Sequence, residues 1–184
     1  MPISYETFER VVLEDPDAQW ELACGHLRRK PPMTAEHSDS IVALARQLLL
    51  QLDPNEFTVR IDMSQLKIPG GSFYIPDLFV VPRPLARLQR RGIGGGLESY
   101  ADPLPLVVEA WSPSRGGYDV TTKIPDYQRR GDAEIWLIHP YERWLRTWRR
   151  QPDGSYTEML FTGDATIEPV ALPGVRIALA ALFE

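Results

Sequence analysis

Apolar positions along the chain fall into patterns that predict most of its elements. The clearest is helical. In TAEHSDSIVALARQLLLQL, Ile41, Leu44, Ala45, Leu48 and Leu52 recur at the i, i+3, i+4, i+7 spacing of one helix face, and Thr34 stands where a cap belongs. SYETFERVVLED predicts a shorter helix capped by Ser4. QWELACGHLRRK predicts a hairpin turning at Cys24–Gly25. EFTVRIDM and SFYIPDLFVV each predict one strand, the second strongly apolar. LPLVVEAW and AEIWLIHP are continuous apolar runs of the kind buried on both faces of a sheet. ERWLRTWRR and SYTEMLF predict a hairpin through the turn QPDG. RPLARLQRRGIGGGLESYADP predicts a loop with a helical turn, and VRIALAALFE a short strand or helix.

Between LPLVVEAW and AEIWLIHP the chain breaks at SPSRGG and then predicts a helix ending at Gly131, with Arg129 and Arg130 in its last turn. Pro125 is tolerated in a first turn, but deeper in a helix it deletes a hydrogen bond and clashes with the turn before it. The helix is therefore predicted to begin near Thr122, with Lys123 close to its N-terminus. A start at Asp119 would instead kink at Pro125. Strand, helix and strand here form a βαβ unit, and the whole order predicts an α/β fold.

Bulk properties narrow this further. The length of 184 residues suits a single domain, with residues 1–56 supplying N-terminal helices and a hairpin and 57–184 a sheet core. A net charge of −5 argues against coating nucleic acid by bulk charge, but leaves room for a local basic groove. Cys24 is the single cysteine, so no internal disulfide forms and a reducing, cytoplasmic setting is expected. The N-terminus has acidic residues early and is not patterned as a signal peptide. No apolar run approaches the ~20 residues of a membrane span, so no membrane association is expected. Positive charge is mostly arginine, and lysine stands at Lys30, Lys67 and Lys123.

Asp77 and Glu109 are lone acids inside otherwise apolar strands. A buried carboxylate is costly unless paired or bound to a metal. Two on successive buried strands suggest convergence on a cation, and Mg²⁺ favours a couple of carboxylates completed by water and phosphate oxygens. Lys123 can add a positive charge beside them, a set suited to phosphodiester hydrolysis. Simpler roles stand beside these: Asp77 in a turn after Pro76, Glu109 paired with an arginine, Lys123 paired with Asp119 four residues earlier.

IPDLFVV, PLVVEAWSPS and YDVTTKIPDYQRRGDAEIWLIHP together resemble the Uma family of putative restriction endonucleases, within the PD-(D/E)XK nuclease superfamily. Pro76–Asp77, Glu109 with Ser112–Pro113, the helix bearing Lys123 and Tyr127, and EIWLIHP carry the resemblance. The opening WELACGHLRRKPPMTAEHSDSIVALARQLL, with Glu21, Gly25 and His37, is similar as well. The resemblance implies a restriction-endonuclease-like core, a central mixed sheet flanked by helices. It implies a site in which Asp77, Glu109 and the Ala110 carbonyl bind Mg²⁺ or Mn²⁺ and Lys123 steadies the water or the phosphate. DNA is the implied substrate and a homodimer the implied assembly for cutting two strands. The superfamily's lysine two residues after the second acid is absent, because Trp111 stands there. In this resemblance Lys123 takes its place. The alternative is a non-cleaving module of the same fold that binds nucleic acid or a protein.

Secondary candidates are Glu21 and Glu36 as further acids near the metal, against solvated or capping roles. His37 near the helix start is a capping, packing or catalytic histidine, and Tyr127 is expected in the core. Trp144, Arg146 and Trp148 alternate on one strand face, which suits stacking on nucleic acid or packing on the sheet with arginine stems between the rings. Arg129 and Arg130 suit phosphate contact, though their helix-end position already accounts for them. The GIGGG run lacks the lysine–serine or lysine–threonine ending of a phosphate-cradling loop. Ser112 has no nucleophile-elbow context.

Overall fold

The computed structural model describes residues 2–89, 97–113 and 117–184. GIGGG and half of SPSRGG (residues 114–116) lie outside these. Ser4 caps α1 (Tyr5–Glu14) by accepting a bond from the Thr7 amide. The predicted hairpin forms from β1 (Trp20–Ala23) and β2 (His26–Arg29), with Cys24 and Gly25 both at positive φ in its turn. Thr34 caps α2 (Ala35–Gln51) by accepting the His37 amide, and α2 buries Ile41, Leu44, Ala45 and Leu48.

The chain continues through β3 (Phe57–Ile61), β4 (Gln65–Ile68), β5 (Ser72–Tyr74), β6 (Leu78–Pro82), α3 (Arg83–Gln89), β7 (Ser99–Tyr100) and β8 (Leu106–Ala110). A five-residue π-helical turn (Asp119–Lys123) leads into α4 (Ile124–Arg130). After it come β9 (Glu134–His139), β10 (Trp144–Arg150), β11 (Tyr156–Thr162), β12 (Thr166–Ile167), β13 (Ile177–Ala178) and a 3₁₀ turn (Ala180–Leu182).

One sheet has the order β2-β1-β5-β4-β7 and a second the order β11-β10-β9-β8-β6-β3. The second is mixed. β8 and β9 run parallel, pairing Val107 with Ile135 and Glu109 with Leu137, while β6 lies antiparallel to β8. The expected βαβ crossover is thus the π turn and α4 between β8 and β9. Alternation divides the faces. Leu78, Val80, Leu106, Val108 and Ala110 pack against α2 and the C-terminal β13 segment. Phe79, Val81, Val107, Ile135 and Leu137 pack against Ile124 and Tyr127 of α4 and against Leu66, Ile68 and Tyr74 of the first sheet. A small third cluster, Phe8, Leu22 and Phe73, seats α1.

Two expectations change. SFYIPDLFVV is two strands in two sheets. Pro76 has no amide to continue a ladder, so the chain leaves the first sheet after Tyr74 and enters the second at Leu78, with Asp77 in the bend between. The helix before Gly131 begins earlier than Thr122, and it does so as a π turn. The Ile124 amide reaches back to the Asp119 carbonyl. Pro125, with no donor and a ring needing room, falls within the first turn of α4 after this wider turn.

Candidate functional site

Asp77 stands where β6 begins and Glu109 one residue short of the end of β8, and the antiparallel pairing of these strands brings the two ends together. The Ala110 amide, next to Glu109, donates to Asp77 Oδ2 at 2.7 Å. Glu109 shares a face with Val107, the face turned toward α4. There Lys123 Nζ lies 3.0 Å from Glu109 Oε1, and the Tyr127 hydroxyl donates to the same oxygen at 2.6 Å. Tyr127 follows Lys123 by four residues, one helical turn.

The N-terminal hairpin closes the cluster from the first sheet. Glu21 Oε1 lies 2.8 Å from Lys123 Nζ and accepts the Ile75 amide at 2.9 Å. Lys30, just past β2, lies 2.8 Å from Asp77 Oδ1, bonds the Ile75 carbonyl and pairs with Asp62. From α2, His37 Nε2 lies 3.0 Å from Asp77 Oδ2. Asp119 completes the i,i+4 pair with Lys123 at 4.0 Å, and both are fully buried. Asp77, Glu109, Lys123, Glu21, His37 and Lys30 are all buried.

Electrostatics couples the two halves of this cluster. Burial works against the Lys30 charge, but Asp77 and Asp62 outweigh it and raise the ammonium's pKa, with smaller opposed influences from Lys123 and Glu109. Burial, then the charge and hydrogen bond of Glu109, push the Tyr127 phenol well above its ordinary range. Tyr127 is therefore a neutral donor that fixes the Glu109 carboxylate.

Asp77, Glu109 and Lys123, expected at one place, are brought together, and Tyr127, expected in the core, is buried there and joins them through its bond to Glu109. Glu21 belongs with them, buried and paired instead of solvated. Its neighbours in the hairpin give no sequence signal of this, because the partner lies about a hundred residues away in the chain. His37 does its work on Asp77. Lys30 is the member that pattern reading does not single out, and its one signal is being a rare lysine in an arginine-rich chain. Glu36 is exposed and receives a bond from the Tyr141 hydroxyl at 3.4 Å.

The nucleic-acid candidates separate. Arg130 is buried, paired with Asp132 at 2.9 Å and bonded to the Asp102 carbonyl, so it is a core residue and not a phosphate contact. Arg129 is exposed and pairs with Asp126. Trp148 is buried against the second core cluster and donates to Glu158. Trp144 is partly buried against the same cluster, under the Arg146 guanidinium 5.4 Å from its ring. This is the packing arrangement of rings and arginine stems.

The donors that Asp77 and Glu109 offer a cation are hard carboxylate oxygens, which fits Mg²⁺ or Mn²⁺ held by two carboxylates and otherwise by water and substrate. Among the described residues no group of three His, Cys, Asp or Glu side chains is arranged to hold a metal by itself. The Ala110 amide is turned to Asp77. No helix among the described residues is long and apolar enough to cross a membrane.

Along residues 5–180 the chain matches the model of the Uma2 family, described as "Putative restriction endonuclease". A solved structure described as "a putative nuclease belonging to DUF820" from Anabaena variabilis superposes with a TM-score of 0.78 at 20% identity, covering 99% of this chain and 98% of that one. At that identity the likeness is one of fold, and the fold is the expected restriction-endonuclease-like α/β architecture. No curated protein matches the chain.

Proposed function

The chain belongs to the Uma2 family, and on that footing we propose that it is a Mg²⁺- or Mn²⁺-dependent endonuclease that hydrolyses DNA phosphodiester bonds. The observation that carries this reading is the meeting of Asp77, Glu109 and Lys123 at adjacent strand ends, with the ammonium 3.0 Å from Glu109. Asp77 and Glu109 are the residues that would hold the cation. When bound there, a divalent ion polarises the phosphate and makes a coordinated water a better nucleophile at neutral pH.

The remaining steps belong to the chain's own groups. Lys123 supplies a fixed positive charge where negative charge grows on the phosphate oxygens, in a buried setting where such charges act strongly. Tyr127 and Lys123 hold Glu109 in one orientation. His37 and the Ala110 amide hold Asp77. Glu21 holds Lys123 from the hairpin side. Cleaving both strands of a duplex calls for two such sites, so a homodimer is the assembly this reading implies.

A second reading, a non-cleaving module of the same fold, is favoured by one observation. Both oxygens of Asp77 are engaged, Oδ1 by Lys30 and Oδ2 by His37 and the Ala110 amide. A cation at Oδ1 would compete with Lys30. Plasmid and single-stranded DNA incubated with and without Mg²⁺ or Mn²⁺ separate the readings. Metal-dependent nicking by the wild type that disappears in Asp77→Ala, Glu109→Ala and Lys123→Ala supports the nuclease. Cleavage that persists in all three comes from a contaminant and removes it.

A further inference from the structure

β2 carries a guanidinium for which the proposed chemistry has no use. Arg28 is the cross-strand partner of Glu21 in the β1–β2 hairpin, so the two side chains leave the same face. Lys30 lies two residues on, and its amide bonds the Gln19 carbonyl at 2.8 Å, continuing the ladder past Arg29. By the strand's period of two, Lys30 shares that face as well. Glu21 and Lys30 both descend into the buried cluster, whereas Arg28 is exposed. It therefore stands at the rim above the site.

The rim position is structurally supported. The Arg28 guanidinium lies 3.7 Å from the centroid of the Tyr118 ring. Tyr118 immediately precedes the π turn that delivers Asp119 and Lys123, so the contact ties β2 to the segment bearing the lysine. Burial and then the charge of Glu21 raise the Tyr118 phenol, with Arg28 and Lys123 opposing. Cation–π contact uses the face of the guanidinium and leaves its in-plane N–H donors for another partner. Among the described residues Arg28 has no ion pair. In a chain of net charge −5, a polyanion approaching a cluster of acids needs a local positive charge to meet it.

We propose that Arg28, parked on Tyr118, is a phosphate clamp that receives the DNA backbone at a phosphodiester neighbouring the one brought to Glu109 and Lys123. The proposal rests on the nuclease reading and adds the residue that admits substrate to the site. Arginine suits the task because its paired N–H donors match two phosphate oxygens.

Binding of a fluorescently labelled DNA duplex, followed by anisotropy in EDTA across a salt series, tests it without cleavage. Arg28→Ala should weaken binding about tenfold at low salt. It should also flatten the dependence of log affinity on log salt by about 0.9, the share of one phosphate. Arg28→Lys should fall between, Tyr118→Phe should match the wild type, and Tyr118→Leu should resemble Arg28→Ala. Thermal melts of each variant establish that the fold is intact, and Arg28→Gln replaces Arg28→Ala if the alanine variant melts early. An unchanged affinity and salt slope in the Arg28 variants overturns the clamp while wild-type cleavage leaves the nuclease reading standing. A wild type that neither binds nor cuts DNA overturns both.

Discussion

Lys123 Nζ lies 3.0 Å from Glu109 Oε1, with the lysine on the π turn and the glutamate on β8, and both side chains are wholly buried. A buried ammonium and carboxylate tolerate one another's company because each supplies the charge the other lost with its water. The pair joins the two elements of the βαβ crossover at one point. That point is also where Glu21 arrives from the hairpin, 2.8 Å from the same nitrogen.

Replacing Lys123 should affect both stability and catalysis. Lys123→Met leaves Glu21 and Glu109 without the ammonium between them, and the loss of one member of a buried pair costs about 3–5 kcal/mol. Nicking of plasmid by the variant should fall about 10²–10³-fold, the scale of losing one preorganised group that stabilises transition-state charge. Urea denaturation and a gel-based nicking assay on the same preparation check both. Full activity in a destabilised variant would assign Lys123 to structure alone.

Tyr127→Phe isolates one hydrogen bond. It keeps the ring in the core and deletes the donor to Glu109 Oε1 at 2.6 Å. A hydrogen bond to a charged group is worth about 1.5–3 kcal/mol, and a loss of that size is expected in chemical denaturation. Cleavage should decline by less than in Lys123→Met, because the phenol positions Glu109 and does not itself face the phosphate in the reading above.

Lys30 predicts a loss of stability in alkali. Its folded pKa is raised above 10.5, after the charges of Asp77 and Asp62 outweigh its burial. Above 10.5 the folded state keeps a proton that the unfolded state releases, so stability falls as pH rises. The contribution is complete below that pH and is lost as pH climbs through the folded value. Tyr127 acts in the same sense, since its phenol is raised in the fold as well. Lys30→Met should therefore be less stable at neutral pH, and its stability should decline less steeply than the wild type's as pH rises above 10.5. Denaturant titrations at a series of pH values measure the slope. Equal slopes in the two proteins would remove the assignment.

Arg129 and Arg130, adjacent in sequence, should behave as opposites. Arg130 is buried against Asp132, which burial pushes up to about 6 despite the opposing guanidinium. Arg130→Ala should cost about 3–5 kcal/mol by stranding that carboxyl group. Arg129 is exposed, and Arg129→Ala should leave the melting temperature unchanged. Thermal melts decide this directly. A marked loss from Arg129→Ala would mean that its pairing with Asp126 matters to the fold.

Several of these relationships are visible in sequence and several are not, and the difference is one of range. The α2 face, the β1–β2 turn and the Thr34 cap follow from spacings within one element, where backbone geometry alone sets what meets what. SFYIPDLFVV shows where local reading stops. Its composition is that of one strand, yet Pro76 lets the chain change sheets, and only the competition between two sheets for Tyr74 and Leu78 decides it. Pro125 shows the same for a helix. Its position marks a constraint, and the remedy, a π turn from Asp119 to Lys123, depends on Lys123 having buried partners to reach.

By itself the sequence determined the α/β class, the βαβ crossover and the candidacy of Asp77, Glu109 and Lys123. An acid within an apolar strand, or a lysine in a chain rich in arginine, is anomalous on local grounds. Tertiary structure alone decided that Glu21 and Lys30 join them, that His37 serves Asp77, and that Arg130 belongs to the core. Each of those roles is a charge finding its counter-charge across a long stretch of chain. The strength of such a pairing depends on distance and burial, which residue order does not contain.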